Sequence, residues 1–270
     1  MAGVIFDGKK VAPAIVVEKE IVKTKFGASI DTWIGDVDEN GTLDRTTWTG
    51  ALNFVGVKTL LYSALQYTFR DRQGITSVDL SSLQSAGNYA LHFTFYNCVF
   101  LTSVDLSSLQ SIGDYCMDRA FYNCYRLKSI DLSSLQSVGS NGMENVFYDC
   151  TGLTNMDLHS LQSVGFQGLF YAFRGCTGIT SVDLSSLQSV GNQGMCYVFY
   201  NCTGLTKISF PSLTDVQANS FASTTSNGAF RGCTGITEIH FRADMQATIE
   251  AMSQYANKWG ATNATIYFDL

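Results

Sequence analysis

From Ile75 to Gly204 the apolar positions follow one pattern, restated every 26 residues. In the copy that begins at Ile179, Val182 and Leu184 alternate with Ser181, Asp183 and Ser185, the period of a strand with one buried face. Leu187 and Val190 return inward through a bend that Gly191 punctuates. Met195, Val198, Phe199 and Cys202 then recur at the spacing of one face of a short helix. Each copy therefore predicts a strand, a turn, a short helix and a loop. Leu80, Leu106, Leu132, Leu158 and Leu184 hold the same place in successive copies. A fixed period of this size predicts stacked coils, each burying its apolar face against its neighbours.

The pattern also sets the boundaries. A degenerate first rung covers 49–74, where Leu52, Phe54, Val57, Ala64, Leu65 and Phe69 precede their counterparts in the next rung by 26 residues. Regular rungs start at Ile75, Leu101, Leu127, Leu153 and Ile179. A longer one spans 205–235, its extra residues around Ala222 to Asn227, and Ile236 to Phe241 opens a further rung that is not expected to be completed. Ahead of the array, Val4 to Phe6, Asp7-Gly8 and Val11 to Val17 read as a hairpin. A second pair of strands is expected on either side of Asp36 to Gly41. After it, Met245, Ile249, Met252 and Ala256 lie on one face of a helix expected over Asp244 to Lys258; Gly260 suits its end, and Thr265 to Phe268 reads as a last strand. The expected fold class is α/β: a leucine-rich solenoid of 26-residue rungs over 49–242, a β-rich N-terminal cap or anchor over 1–48, and a helix–strand C-terminal cap over 243–270.

Composition narrows the function classes. A net charge of −6 offers no electrostatic footprint for nucleic acid or an anionic membrane. No apolar run reaches the roughly 18–20 residues of a membrane span. The first ten residues lack a basic region followed by an apolar one, so no secretory address is expected in this chain. Cys98, Cys124, Cys150, Cys176, Cys202 and Cys233 share one repeat position. They read as a buried column of small apolar thiols, although neighbouring rungs lie near enough for a disulfide to be conceivable. No paired Cys/His spacing of a zinc site occurs, and no cofactor fingerprint appears.

The sequence Val198-Phe199-Tyr200-Asn201-Cys202-Thr203-Gly204, with Gly194 upstream and Leu205-Thr206-Lys207-Ile208-Ser209-Phe210 after it, resembles the BspA-like (Treponema-type) class of leucine-rich repeats, in phase over about 49–242. The resemblance implies a curved right-handed solenoid of bacterial surface and adhesion proteins that binds proteins or glycans without catalysis. A 26-residue rung is longer than the usual unit, so the convex side is expected to differ. Lys23 to Asp38 and Trp259 to Leu270 are similar to the ends that accompany such arrays in gut-bacterial prophage proteins. That second likeness implies display on a phage tail or a bacterial surface.

Three groups of residues are candidates for binding. Asp79, Asp105, Asp131, Asp157 and Asp183 form a column on the exposed strand face. Like charges about 4.8 Å apart repel by roughly 0.9 kcal/mol in water, so the column should hold raised pKa values or attract cations, basic side chains or sugar hydroxyls; alternatively, neighbouring Ser hydroxyls satisfy a solvated face. Phe93, Arg119, Asn145, Tyr171 and Tyr197 share a position that varies while the strand repeats almost verbatim, and the helical phase points them away from the core. This is either a recognition surface rich in aromatics and Arg or an unconstrained solvent position. Tyr96, Tyr122, Tyr148 and Tyr200 add a column able to stack on sugars or to brace the loops. Asp36, Asp38 and Asn40 match the opening of a calcium loop, but Thr47 stands where the bidentate Glu belongs, and a hairpin turn explains them equally.

Catalysis finds no support in the pattern. His92, His159 and His240 occupy different positions of different rungs and cannot converge. The expected function is a non-enzymatic module recognising a cell-surface protein or glycan. The alternative is a structural spacer whose repeats set length while another chain binds.

Overall fold

The structure is a computed structural model that describes residues 50–55, 57–224, 226 and 228–270, and the backbone of 3–6, 9–12, 16–17 and 20–21. The candidate calcium residues Asp36, Asp38 and Asn40 lie outside the described residues, as do the strands expected beside them.

Two parallel ladders run the length of the array, which makes about 8 turns. The front ladder is built from the alternating segments, such as Ser103–Asp105 and Ser129–Asp131, with like residues opposite like: Val104 faces Ile130 and Asp105 faces Asp131. Leu106 donates its N–H to the Asp131 carbonyl at 3.2 Å, so it lies beside Leu132, as stacked coils require. The rear ladder is an unbroken seven-stranded sheet of two-residue strands, from Thr59–Leu60 to Asp215–Val216. Period-two alternation explains the front strand: Val182 is buried between exposed Ser181 and Asp183.

The segment expected as a short helix is not one. After each rear strand the chain runs through successive turns, with a left-handed residue at every fourth place: Tyr89 (φ 58), Phe93 (φ 53) and Asn97 (φ 57) in one rung, Gln193 (φ 56), Tyr197 (φ 56) and Asn201 (φ 61) in another. Those residues and the ones midway between them donate to the next coil, as Leu91 does to the Cys116 carbonyl (2.9 Å) and Phe93 to that of Asp118 (3.0 Å). The intervening residues donate three places back, as Thr94 does to Leu91 (3.1 Å). Every amide is thereby satisfied, half of them between coils. A helix about 10 Å wide would not fit the 4.7–4.9 Å pitch of stacked strands. The turn ribbon does, because it is itself a ladder.

One continuous core fills the coils. Phe69, Phe95, Phe121, Phe147, Phe173 and Phe199 stack at 5.4–5.7 Å, with Phe230 a further 5.9 Å on. The six thiols of the Cys column lie beside them, free and buried. Each donates to the carbonyl of the Phe one rung back, Cys150 to Phe121 at 3.0 Å. Burial raises the pKa of every one, Cys98 and Cys233 to about 12, which leaves them protonated and unreactive.

At the N-terminal side, Gly3–Phe6 pairs antiparallel with both Lys9–Ala12 and the first front strand, Gly50–Val55. The hairpin is the expected one, but its second strand ends at Ala12; Val16–Val17 pairs instead with Glu20–Ile21. At the other end the long helix shrinks to Gln246–Glu250 between 3-10 turns at Ala243–Met245 and Tyr255–Gly260. Met245, Ile249 and Met252 are buried as its spacing foretold, whereas Ala256 is exposed. Left-handed Gln254, Lys258 and Trp259 bend the chain and drive the Trp259 ring onto Phe221 and Phe241. The rung expected to stay open closes: Thr265–Phe268 pairs parallel with Glu238–Phe241, His240 opposite Tyr267.

Candidate functional site

The front strands line a groove of about 650 Å³ whose walls include Asp79, Asp105, Asp131 and Asp157. Asp183 continues the same column beyond it, opposite Asp157 in the ladder. Strand pleating puts one carboxylate per rung on the outer face, and the turn that follows holds each in one pose. The N–H two residues on donates to Oδ1: Ser81 to Asp79 (2.9 Å), Ser107 to Asp105 (2.9 Å), Ser133 to Asp131 (3.0 Å), His159 to Asp157 (3.0 Å) and Ser185 to Asp183 (2.9 Å). A serine hydroxyl joins in at Ser133 (2.7 Å to Asp131), so backbone amides do most of what the serines were expected to do.

Among the described residues Asp79, Asp105, Asp131 and Asp183 enter no ion pair. His159 Nδ1 lies 2.7 Å from Asp157 Oδ1. The expectation of raised pKa values fails at Asp157: desolvation pushes its carboxyl up, but the His159 amide, ring and charge together hold it below the ordinary range. The arrangement is a row of fixed hydrogen-bond acceptors, one per rung, with no nucleophile or general acid set against it. No group of three or more His, Cys, Asp or Glu side chains among the described residues is placed to hold a metal.

The second candidate group lies on the turn ribbon. Phe93, Arg119, Asn145, Tyr171 and Tyr197 all occupy left-handed backbone, φ 50 to 56. They form a column on the side away from the core, but they are half-buried, and Asn145 is buried outright. Tyr171 and Tyr197 stack at 4.2 Å, and the Arg119 guanidinium lies 5.4 Å from the Phe93 ring centre. Most of their area is spent on one another. The neighbouring tyrosine column behaves alike: Tyr96, Tyr122 and Tyr148 stack at 4.9 and 4.2 Å. Ring faces that cover each other are closed to sugars. Arg70, Arg174 and Arg231 close the same column over Tyr96, Tyr148 and Tyr200, and their shared repeat position was legible in the sequence.

A buried polar cluster on this ribbon escaped the sequence reading, although residues 26 apart were its signal. Asp118 is clamped by Arg119 Nη1 (2.7 and 3.0 Å), with Glu144 3.7 Å from the same guanidinium and His92 Nε2 3.6 Å from Asp118. Burial raises the Asp118 carboxyl to about 7 despite Arg119, with Glu144 adding to the rise. Burial, with Arg119 second, lowers His92 to about 4. The two oppose each other. Ionising Asp118 weakens the fold as pH rises from about 4 to 7, and charging His92 weakens it as pH falls from about 6.5 to 4. Stability should therefore be nearly flat across pH 4.5–6.5 in the parent chain. Asp118→Asn should lose about 1–3 kcal/mol on acidification over that span, and His92→Gln should gain as much. Urea midpoints at five pH values test this; parallel pH profiles for the three proteins would refute it.

Stacked parallel coils, a column of buried Leu and a sheet-lined groove define a leucine-rich repeat solenoid, a class that generally mediates protein binding or adhesion and is typically non-enzymatic. Six copies of the BspA type leucine rich repeat region match residues 49–146, 92–227 and 196–257, and the chain belongs to that family. Among solved structures it is similar to a leucine-rich repeat protein from Bacteroides ovatus (19% identity, covering 81% of this chain and 68% of that one, TM-score 0.32). It is also similar to internalin C2 from Listeria monocytogenes (14%, 80% and 79%, TM-score 0.37) and to the TLR13 chain of a TLR13–ssRNA13 complex (12%, 87% and 39%, TM-score 0.35). No curated protein matches the chain.

Proposed function

We propose that the protein is a non-enzymatic binding module that recognises a cell-surface protein or glycan through the front groove, while displayed on a bacterial surface or a phage tail. The observation that carries this reading is the row of carboxylates held at one per rung along the groove without a compensating cation, except His159 at Asp157. Fixed, uncompensated acceptors suit basic side chains and sugar hydroxyls. Holding them in place in advance lowers the entropy lost on binding. Phe93, Arg119, Asn145, Tyr171 and Tyr197 are a second surface that a partner can reach only at its exposed edges. In this reading 1–48 caps the first coil, whose edge pairs with Gly3–Phe6, and links it to a carrier, while 243–270 closes the other end.

The test is capture of intact chain by whole cells and by a glycan array, with Asp131→Asn and Asp157→Asn combined. Each exposed pair contributes about 0.2–1 kcal/mol, so the double variant should bind about 2–10-fold more weakly at an unchanged melting temperature. Unaltered capture would remove the groove from the function. The unbroken rear sheet would equally serve a rigid spacer. A spacer shows no capture by the isolated chain at all, whereas a binding module keeps its capture when 1–48 is removed and the array remains folded.

A further inference from the structure

The groove proposed above has a pitch, and the pitch selects among partners. Aspartates face one another in consecutive strands, Asp79 opposite Asp105 and Asp105 opposite Asp131. Carboxylates two rungs apart are thus separated by twice the strand spacing, about 9.4–9.8 Å. A ligand lying along the groove crosses the strands at right angles and meets only side chains, because every strand N–H and C=O between rungs points along the ladder. It cannot extend the sheet, so its own backbone must be content without partners.

A polyproline II segment meets both conditions. Its backbone makes no internal hydrogen bonds, and it advances 3.1 Å per residue with three residues per turn, about 9.3 Å between side chains on one face. An extended β-strand presents one face every two residues, about 6.6–6.8 Å, which falls out of step with the rungs after the first contact. The lining contains no Lys, Arg or His, while four of its residues are Asp, so the side chains that match are cations.

We infer that the front groove accepts a polyproline II-like basic segment with Lys or Arg at every third residue, seated on alternate carboxylates such as Asp79, Asp131 and Asp183. This deepens the binding reading above and rests on it. The segment runs along the solenoid axis with its cationic edge inward and its other two faces in water. Asp105 and Asp157 then flank the seated cations and add long-range attraction without setting the register.

Three labelled peptides with four Lys each test the spacing: Lys-Pro-Pro repeats, Lys-Pro repeats and Lys-Pro-Pro-Pro repeats, titrated against the intact chain by fluorescence anisotropy at low and physiological salt. All carry the same charge and remain extended, so only the period differs. Losing two registered pairs at surface values predicts that the period-three peptide binds about 5-fold or more tightly than either other. The triple variant Asp79→Asn/Asp131→Asn/Asp183→Asn retains the Oδ1 acceptor that each turn uses and should abolish the preference. Equal affinity for the three peptides would overturn the register while leaving an acidic binding face. Preference surviving in the triple variant would place the site elsewhere. No binding by any of the peptides would sink the register and the basic-partner reading together.

Discussion

Phe147→Ala should destabilise the array by about 3–5 kcal/mol, the largest loss expected from any single truncation in the chain. Phe147 is fully buried and stacks on Phe121 at 5.7 Å and Phe173 at 5.4 Å. Its removal therefore opens a cavity in the middle of a continuous file of rings. Neighbouring coils are tied by hydrogen bonds on both sides, from Phe121 to the Val146 carbonyl (3.0 Å) and from Phe147 to that of Ala172 (2.8 Å), so they cannot collapse to fill it. In a one-dimensional array the lesion weakens two interfaces at once. Urea unfolding should show either a shifted midpoint or a split transition as the halves uncouple. Phe147→Leu, which keeps most of the volume, should lose much less; equal losses in the two variants would mean the file of rings is not a packing unit.

Gly139→Ala is the second large effect, and its sign is a contest between two terms. Replacing a glycine at ordinary φ stabilises a fold by about 0.4–1 kcal/mol, because the unfolded chain loses freedom. Here an added Cβ would lie 2.8 Å from the Gly113 backbone carbon and 3.0 Å from the Asp114 nitrogen. Those atoms belong to the coil beneath and cannot swing aside, and overpacking of this kind costs about 1–3 kcal/mol. A net loss of about 1–2 kcal/mol is expected. Gly87 holds the same repeat position at the start of the array, where the nearest atoms are 3.4–3.5 Å away. Gly87→Ala should consequently be neutral or slightly stabilising. Equal effects of the two substitutions on the melting temperature would show that coil-to-coil contact does not set the cost.

The binding surfaces differ in how they could be read in advance. The Asp column was legible because strand pleating assigns alternate residues to opposite faces without reference to anything distant. Its hydrogen bonding was not, since that depends on how the next two residues turn. The varied column of Phe93, Arg119, Asn145, Tyr171 and Tyr197 was placed by a helical phase that the chain does not adopt, and its side chains proved to be packed against each other. The Asp118–His92 pair was hidden for a related reason: 26 residues separate the two in sequence, and nothing local marks either as buried.

Sequence alone determined the length of the coil, the residues that enter the core and the column each side chain joins. Five near-identical copies average out the local noise that usually obscures such a pattern, and a buried apolar position must recur wherever coils stack. Only the tertiary structure decided the path of the chain between core positions. Met195, Val198, Phe199 and Cys202 are spaced equally well for a helix and for a ribbon of turns, and the choice between them was made by the coil next door. Its rear strands lie within hydrogen-bonding distance, too near for helices to lie side by side, so the amides that a helix would have kept to itself were given to the neighbouring coil.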